Sequence, residues 1–467
     1  MARNTDRLDE FLQRPHRAVW VISAPMMAGM ILQVMFTVVE TAFIGRLGHE
    51  ALAALTVVFP LLFIMIALVN GIGSGVTVLV AQAIGRRDLE EAERVGGTSI
   101  ALGLGFGLVV AALGVAFGHP LLALLGGSTA VADLGWSYFL ILVLTSPLLF
   151  VSFFLRFLLM GEGDAKTPMI IAAVVTLINA GLDPIFIFGL DLGMPGAAIA
   201  GAISQLLMLL ALLYLLLWRR NNLVKLHARH LWPRWSTVRA VLGIGVPASV
   251  AQLAMSLGVM FLNRVVGSFG DDALAAFGVG ARIDNIVGMP VMGLAAGSVA
   301  VIGMFAGAGR ADLVRDVTWY SLRWAIGMAT TIGVLAFAAS VPIMHVFTSD
   351  ESTIAVGRHY LMYMVFTYPA FAVSMLAARI VLGLGYPNLS LLIIGVRLFV
   401  FAVPIAYISV YLFKTPLDGV WSGLLVGTLA AAVVAGFSLR WLVWRQDPTT
   451  RAGRKLPVTR VEATEVA

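Results

Sequence analysis

Glu40 and Asp183 are acids that lie inside long apolar stretches of the sequence. An ionised carboxylate inside a membrane span costs about 2.5–3.5 kcal/mol, so each acid needs a partner, a water-filled cavity or a bound cation. Asn179 lies four residues before Asp183, on the same helix face, and Pro184 removes one backbone donor and frees a carbonyl beside the acid. Together these groups predict a site for a cation or a proton.

Arg156 lies in a further apolar stretch and could join the two acids. If Glu40, Asp183 and Arg156 converge, one net negative charge remains, and the natural outcome is one exchangeable proton. The sequence therefore favours H⁺ over Na⁺ as the coupling ion. Protonation would free Arg156 and change the hydrogen bonding around Pro184, so that the helix could straighten or bend. The structural alternatives are an Asp183–Arg156 staple and a Glu40 side chain that reaches lipid headgroups.

Flexible methionines and two amides could form a promiscuous binding surface in the apolar stretches. The residues predicted to line a substrate cleft are Met26, Met30, Gln33, Met35 and Gln205. Ordinary packing between helices is the alternative for each. In the second half of the chain, Asp284 is expected to pair across helices with Arg379 or Arg397, as a structural pair rather than a second transport site.

No residue pattern indicates catalysis or a bound cofactor. The chain has no cysteine, which excludes disulfides and thiolate metal sites. Its seven histidines show no HExxH or similar spacing, and no acid accompanies a histidine inside an apolar stretch. The sequence therefore predicts no catalytic residue, no metal site and no cofactor beyond the coupling ion, H⁺ or Na⁺.

The elements that must position these residues are membrane-spanning helices. Hydrophobic residues make up 60% of the chain, charged residues 12%, and the mean hydropathy is +0.95, whereas soluble domains are about 25% charged. The apolar runs are too long and continuous for membrane strands, which predicts an all-α integral membrane protein. Twelve spans of the required length are expected over residues 18–44, 53–82, 96–118, 133–160, 169–190, 197–218, 240–266, 275–305, 317–341, 354–382, 389–413 and 420–444.

The chain repeats itself at an offset of 222 residues. Matching pairs include Pro25 and Pro247, Tyr138 and Tyr360, Pro147 and Pro369, and Gly201 and Gly423. Six spans per copy make the copies parallel repeats related by a pseudo-two-fold axis along the membrane normal, and two such bundles would enclose a central cleft that opens to alternate sides. The expected parts are an N-terminal six-helix bundle (1–218), a cytoplasmic linker (219–239), a C-terminal six-helix bundle (240–445) and a cytoplasmic tail (446–467). The second copy has Leu262 and Ile405 where the first has Glu40 and Asp183, so the coupling chemistry is expected in the N-terminal bundle.

The loops fix the expected orientation. Most lysines and arginines outside the spans fall in the two termini, the linker and the loops on one side, which places both termini in the cytoplasm. The net charge of +6 does not indicate nucleic-acid binding, because the basic residues lie in short loops and tails. The expected location is the plasma membrane of a bacterium or archaeon, and the chain is expected to act as a monomer with the lipid bilayer around it.

Several motifs resemble those of multidrug and toxic compound extrusion (MATE) transporters. They are ETAFIGRLGHEALAAL (40–55), AQAIGRRDLEEA (81–92), MGEGDAKTP (160–168), LINAGLDPIFIFG (177–189) and GAAIAG (196–201). The resemblance implies cation-driven export of amphipathic, often cationic organic compounds such as drugs. Asn179 and Asp183 match the DinF-like branch, whereas Met255 stands where another branch carries a glutamate. Glu40 replaces the family's usual aspartate in span 1.

Two other functions are compatible with a polytopic membrane chain. A flippase for lipid-linked precursors, from the wider superfamily, would be expected to show a more cationic cleft and often additional spans. A membrane-embedded enzyme would need a nucleophile and base at a water-accessible depth, and the sequence shows no such group. The antiporter is therefore the favoured function.

Overall fold

The protein is a bundle of long helices. The computed structural model describes residues 6–125, 128–218, 224–225, 230, 232–347 and 350–444, and no strand occurs among them. The helices are α1 (Asp6–Gln13), α2 (Pro15–Gly45), α3 (His49–Gly85), α4 (Leu89–Leu125), α5 (Thr129–Leu144), α6 (Ser146–Gly161), α7 (Lys166–Pro184), α8 (Gly193–Trp218), α9 (Trp235–Gly267), α10 (Asp271–Gly307), α11 (Ala311–Ala338), α12 (Ser340–Phe347), α13 (Glu351–Gly383), α14 (Pro387–Gly395), α15 (Val403–Tyr407) and α16 (Asp418–Leu439). The all-α fold class is confirmed.

The spans agree in number and order with the sequence. Among the described residues, eleven helical segments are each long and apolar enough to cross a membrane, and the bent pair α5–α6 supplies a twelfth. The predicted ends are too short in several places; span 2, for example, was expected over 53–82 but α3 extends over His49–Gly85. Hydropathy marks the part of a helix that must lie in lipid, whereas the helix itself continues into the interface.

The fourth span is bent. The sequence predicts one continuous span over 133–160, but two helices occur there. α5 and α6 meet at 52° around Thr145. Pro147, in the first turn of α6, lacks the N–H that a continuous helix would donate to Val143. The Ser146 hydroxyl donates to the Val143 carbonyl instead, at 2.7 Å, so that this carbonyl keeps a hydrogen-bond donor in the membrane.

Three further spans contain π-helical turns among the described residues; one of these turns, Arg440–Trp444, continues the last span beyond α16. α7 continues beyond Pro184 as the π-helical segment Ile185–Gly189, in which the Leu190 N–H donates to the Ile185 carbonyl at 2.8 Å. In the second repeat, α14 continues as Val396–Ala402, and a further π-helical segment follows α15. The wider turns therefore occur in the corresponding spans, 5 and 11, of both repeats.

Contacts group the chain into two compact units. Among the described residues, unit 1 consists of 6–9 and 28–246, and unit 2 consists of 10–27 and 247–444. The division therefore falls inside α2 and inside α9, not at the linker expected over 219–239. About half of that linker and the whole of the tail over 446–467 lie outside the described residues.

Side-chain contacts explain why the first part of α2 belongs to unit 2. The Trp20 indole N–H donates to the Tyr320 hydroxyl of α11 at 2.9 Å. The His16 ring stacks on the Tyr320 ring with centroids 4.1 Å apart, and its Nε2 lies 2.9 Å from the Asp316 carboxylate. Correspondingly, the first part of α9 belongs to unit 1, because Gly245 lies so close to Ile72 that a Cβ there would come within 2.6 Å of the Ile72 Cα.

Candidate functional site

Asp183 is the penultimate residue of α7 and lies in the interior of unit 1. Its side chain is fully buried, and Asn179, one turn earlier, donates its amide N–H to Oδ1 at 3.0 Å. The other carboxylate oxygen, Oδ2, is buried and has no hydrogen-bond partner among the described residues. Buried polar atoms are nearly always satisfied in folded proteins, so this oxygen marks a place where a proton or a cation could bind.

Glu40 is the second acid of this site. It lies in the last two turns of α2, half-buried, where its Oε1 accepts a hydrogen bond of 3.3 Å from the Tyr138 hydroxyl. Its carboxyl group interacts electrostatically with that of Asp183. Tyr138 is itself held in a buried apolar cluster that includes Phe139 and Ile187, so the donor to Glu40 is fixed by packing.

Arg156 does not join the two acids. Among the described residues it forms no salt bridge with Glu40 or Asp183; its guanidinium carbon lies 4.9 Å from the centre of the Phe153 ring. Helix geometry gives the reason. Arg156 is five residues from the end of α6, about 8 Å, whereas Asp183 is seventeen residues from the neighbouring start of α7, about 25 Å. The convergence expected from the sequence, and the alternative staple, are both absent because the groups lie at different depths.

Pro184 lies where the sequence expects a helix irregularity. α7 ends at this residue and the chain continues into the π-helical turn, directly after Asp183. A proline has no N–H and its ring crowds the preceding turn, and π-helical turns are frequent at functional sites. The irregularity therefore lies beside the buried acid.

The residues predicted to line a cleft differ in their surroundings. Met26, in unit 2, and Met30, in unit 1, are half-buried, whereas Gln33 is exposed and Met35 is 62% exposed. Gln205 is half-buried in α8, and its Nε2 has no hydrogen-bond partner within the described part of the chain. Their role in binding cargo stays a prediction.

Gln205 lies on the side of α8 that faces the acid site. Gly201, one turn earlier on α8, is so placed that a Cβ there would lie 4.0 Å from the Asn179 Oδ1. Residues four apart share a helix face. The amide of Gln205 is thus on the face that packs against α7.

A second acid cluster lies in unit 2 and differs from the predicted pair. The Asp284 Oδ2 accepts a short hydrogen bond from Tyr360, and its Oδ1 accepts one of 2.7 Å from Tyr368. Its electrostatic partner is Arg397, which the sequence offered as an alternative. Arg379, the other partner that the sequence offered, is too far away: it lies eleven residues beyond Tyr368 on α13, about 16 Å along the helix.

Comparison with known proteins identifies the family. The family model for MatE matches residues 25–185 and again 247–408. These matches begin 222 residues apart, at the offset of the repeat, and together cover more than half of the chain. The chain belongs to the MatE family. The MATE resemblance noted in the sequence motifs is therefore confirmed.

Relatives match this MatE chain over nearly its full length. A probable multidrug resistance protein, YoeA, of Bacillus subtilis (strain 168) is 28% identical over 93% of this chain and 95% of its own. A protein named FAD transporter, of Shewanella oneidensis, is 28% identical over 92% and 94%. The solved structure of a MOP superfamily transporter from Pyrococcus furiosus has a TM-score of 0.87 at 28% identity, and covers 92% of this chain and 96% of that one.

The sequence motifs of this MatE protein do not indicate Tyr138 and Tyr360 as site residues. Tyr138 binds Glu40 and Tyr360 binds Asp284, and the two tyrosines match each other in the repeat. A tyrosine that is the same in both copies, although the acids differ between them, is a signal for a polar contact. The sequence therefore contained the information needed to find both donors, although not their partners.

Proposed function

We propose that the chain is a proton-coupled exporter of amphipathic organic compounds that works by alternating access in the plasma membrane, with both termini cytoplasmic. The observation that supports it most is the acid site of unit 1. Asp183 is fully buried with one oxygen unpartnered, and Glu40 is close enough to interact with its charge. If both carboxyl groups were ionised in this site, the electrostatic cost would be large.

A proton relieves that cost most simply. Two carboxyl groups that share a buried site favour a state in which one of them is protonated, and such a pair titrates as one unit. The absence of Arg156 from the site strengthens this argument, since neither acid has a permanent basic partner there. Uptake of a proton would give Asp183 or Glu40 a donor, and its loss would restore the repulsion between them.

Movement of the helices would follow from this change. Asp183 directly precedes Pro184 and the π-helical turn, where the backbone can rearrange at low cost. Glu40 is on α2, whose second half is exposed along much of its surface, with Val38 64% exposed. We infer that protonation changes the position of α2 relative to α7 within unit 1, and thereby the affinity for cargo.

The relatives support an exporter of drug-like compounds. The Bacillus protein is named a probable multidrug resistance protein, and a Staphylococcus aureus relative is named a multidrug export protein. The Shewanella relative is named an FAD transporter, so the cargo of this fold extends to large aromatic anions. Asn179 and Asp183 in span 5, with Met255 in place of a span-7 acid, support the DinF-like branch.

Transport into inverted membrane vesicles tests this function. We expect an imposed pH gradient to drive uptake of a fluorescent organic cation such as ethidium, and Asp183→Asn to abolish the pH-driven component. The matched control is Asp133→Asn, an exposed acid of the same unit that binds His119, which should transport normally. Full pH-driven transport by Asp183→Asn would refute the proposal, and transport that follows a Na⁺ gradient at constant pH would assign the site to sodium.

A further inference from the structure

Arg397 lies near the middle of a membrane span. The segment Pro387–Leu412 crosses the membrane, and Arg397 is about 15 Å from its first residue and about 22 Å from its last. An arginine at such a depth is costly, and by default it indicates a functional site. It lies in the π-helical turn Val396–Ala402, a type of irregularity that is frequent at functional sites.

The surroundings of Arg397 hold its guanidinium in place without binding its donors. The guanidinium carbon lies 5.1 Å from the centre of the Phe371 ring, a cation–π distance. The Phe371 ring in turn packs near Gly288, where a Cβ would lie 3.7 Å from its Cε1. Gly288 is one turn beyond Asp284 on α10, so the arginine, the ring and the acid belong to one cluster in unit 2.

Asp284 neutralises part of the charge of Arg397 but is not its ion-pair partner. The two interact electrostatically, yet no nitrogen of Arg397 lies within salt-bridge distance of a carboxylate in the described chain. Both oxygens of Asp284 are instead taken by the hydroxyls of Tyr360 and Tyr368. The side chain of Arg397 is half-buried, and no hydrogen bond within the described part of the chain occupies its N–H groups, so they are free to bind a ligand.

We propose that Arg397 binds the acidic group of the cargo, and that the cargo class therefore includes amphipathic organic anions and zwitterions with a carboxylate or phosphate. The planar guanidinium fork matches either group through two parallel hydrogen bonds. Phe371 positions the fork, and the tyrosines hold Asp284 away from it. This inference rests on the proposed role as an exporter and narrows its cargo.

Equilibrium binding to the purified full-length protein in neutral detergent tests the inference without any gradient. The probes are two pairs of fluorescent compounds that differ by one phosphate: riboflavin 5′-phosphate against riboflavin, and 4-methylumbelliferyl phosphate against 4-methylumbelliferone. We expect each phosphate to bind at least about ten-fold more tightly than its partner, because hydrogen bonds to charged groups contribute about 1.5–3 kcal/mol. If neither phosphate is preferred, the inference is overturned.

Variants at and near the cluster identify the residue responsible. Arg397→Gln should remove the preference for phosphate and leave the affinity for the neutral probes unchanged, whereas Arg397→Lys should keep part of it, since lysine offers charge without the fork. The matched control is Arg379→Gln, at another half-buried arginine of unit 2, which should keep the full preference. An unchanged preference in Arg397→Gln would contradict the assignment.

A gain of affinity separates this role from a loss of folding. Asp284→Asn removes the negative charge beside Arg397 but can still accept hydrogen bonds from the tyrosines, so we expect it to bind both phosphates several-fold more tightly. Weaker binding by this variant would contradict the inference. Phosphatidylglycerol added to the detergent should not compete with the probes; displacement by it, and not by phosphatidylcholine, would assign Arg397 to lipid headgroups and overturn a role in cargo binding.

Failure of this inference differs from failure of the proposed function. Proton-driven efflux of an organic cation depends on Asp183 in unit 1, whereas the preference for phosphate depends on Arg397 in unit 2. If the protein transports ethidium but does not prefer phosphates, the proposed function stands and the inference about Arg397 is wrong.

Discussion

Tyr138 and Tyr360 occupy the same position in the two repeats, yet each donates to an acid from a different helix. Tyr138 binds Glu40 on α2 and Tyr360 binds Asp284 on α10. The tyrosine that donates the hydrogen bond is the same in both repeats, whereas the carboxylate that accepts it lies on different helices of the repeat. The outcome is two different sites: among the described residues, Glu40 and Asp183 form no salt bridge with a basic residue, whereas Asp284 has Arg397 near it.

The depth of Arg156 leads to a prediction at this scale. Because Arg156 lies about 18 Å along the bundle from Asp183, Arg156→Gln should keep proton-driven transport within about two-fold of the wild type, a change smaller than 1 kcal/mol in activation free energy. Initial rates of ethidium uptake into inverted vesicles measure this. Loss of coupling as complete as in Asp183→Asn would show that the arginine reaches the acids during the transport cycle.

Hydropathy could not reveal how deep each charged residue lies. The sequence correctly placed Asn179 and Asp183 on one face of a helix, because four-residue spacing fixes direction around the axis. It failed for Arg156 and Arg379, because their positions along the axis depend on where each helix begins, and apolar runs define those ends only within several residues. Arg397, ten residues from the start of its span, is the arginine that interacts electrostatically with Asp284, and its spacing in the sequence did not single it out.

Among the helices, the bend between α5 and α6 depends on a close approach to α4. A Cβ at Gly107 would lie 2.3 Å from the Pro147 Cα, and Pro147 is in the first turn of α6. Glycine is therefore required at this crossing, as at many contacts between membrane helices. The proline is visible in the sequence but the bend is not, because a proline near a helix start and a proline that kinks a helix have the same local pattern.

A pair of glycine substitutions tests this contact. Gly107→Ala should destabilise the protein by about 1–3 kcal/mol, since backbone atoms must move to admit the methyl group. Gly105→Ala, two residues earlier on α4 with open space around it, should be neutral or stabilising by up to about 1 kcal/mol. Thermal unfolding in detergent compares the two variants. Equal melting temperatures would mean that α4 and α6 do not approach as closely as described.

At the scale of the whole molecule, the two repeats are alike in helices and different in charge. The repeat, the span number and the family could all be predicted from the sequence, because they depend on composition and spacing over long stretches. The division of α2 between the two units could not be predicted from the sequence. Its first part contacts α11 through His16 and Trp20, while its last part bears Glu40 in unit 1. Those contacts join residues about 300 positions apart, beyond any local pattern.

The central claim is that the acids of unit 1 exchange a proton when cargo binds. Proton release from purified protein in weakly buffered detergent solution, recorded with a pH indicator as cargo is added, measures this directly. The wild type should release about one proton per chain, because the coupled acids act as a single titrating pair, and Asp183→Asn should release none. Equal release from Asp183→Asn and the wild type would contradict the account.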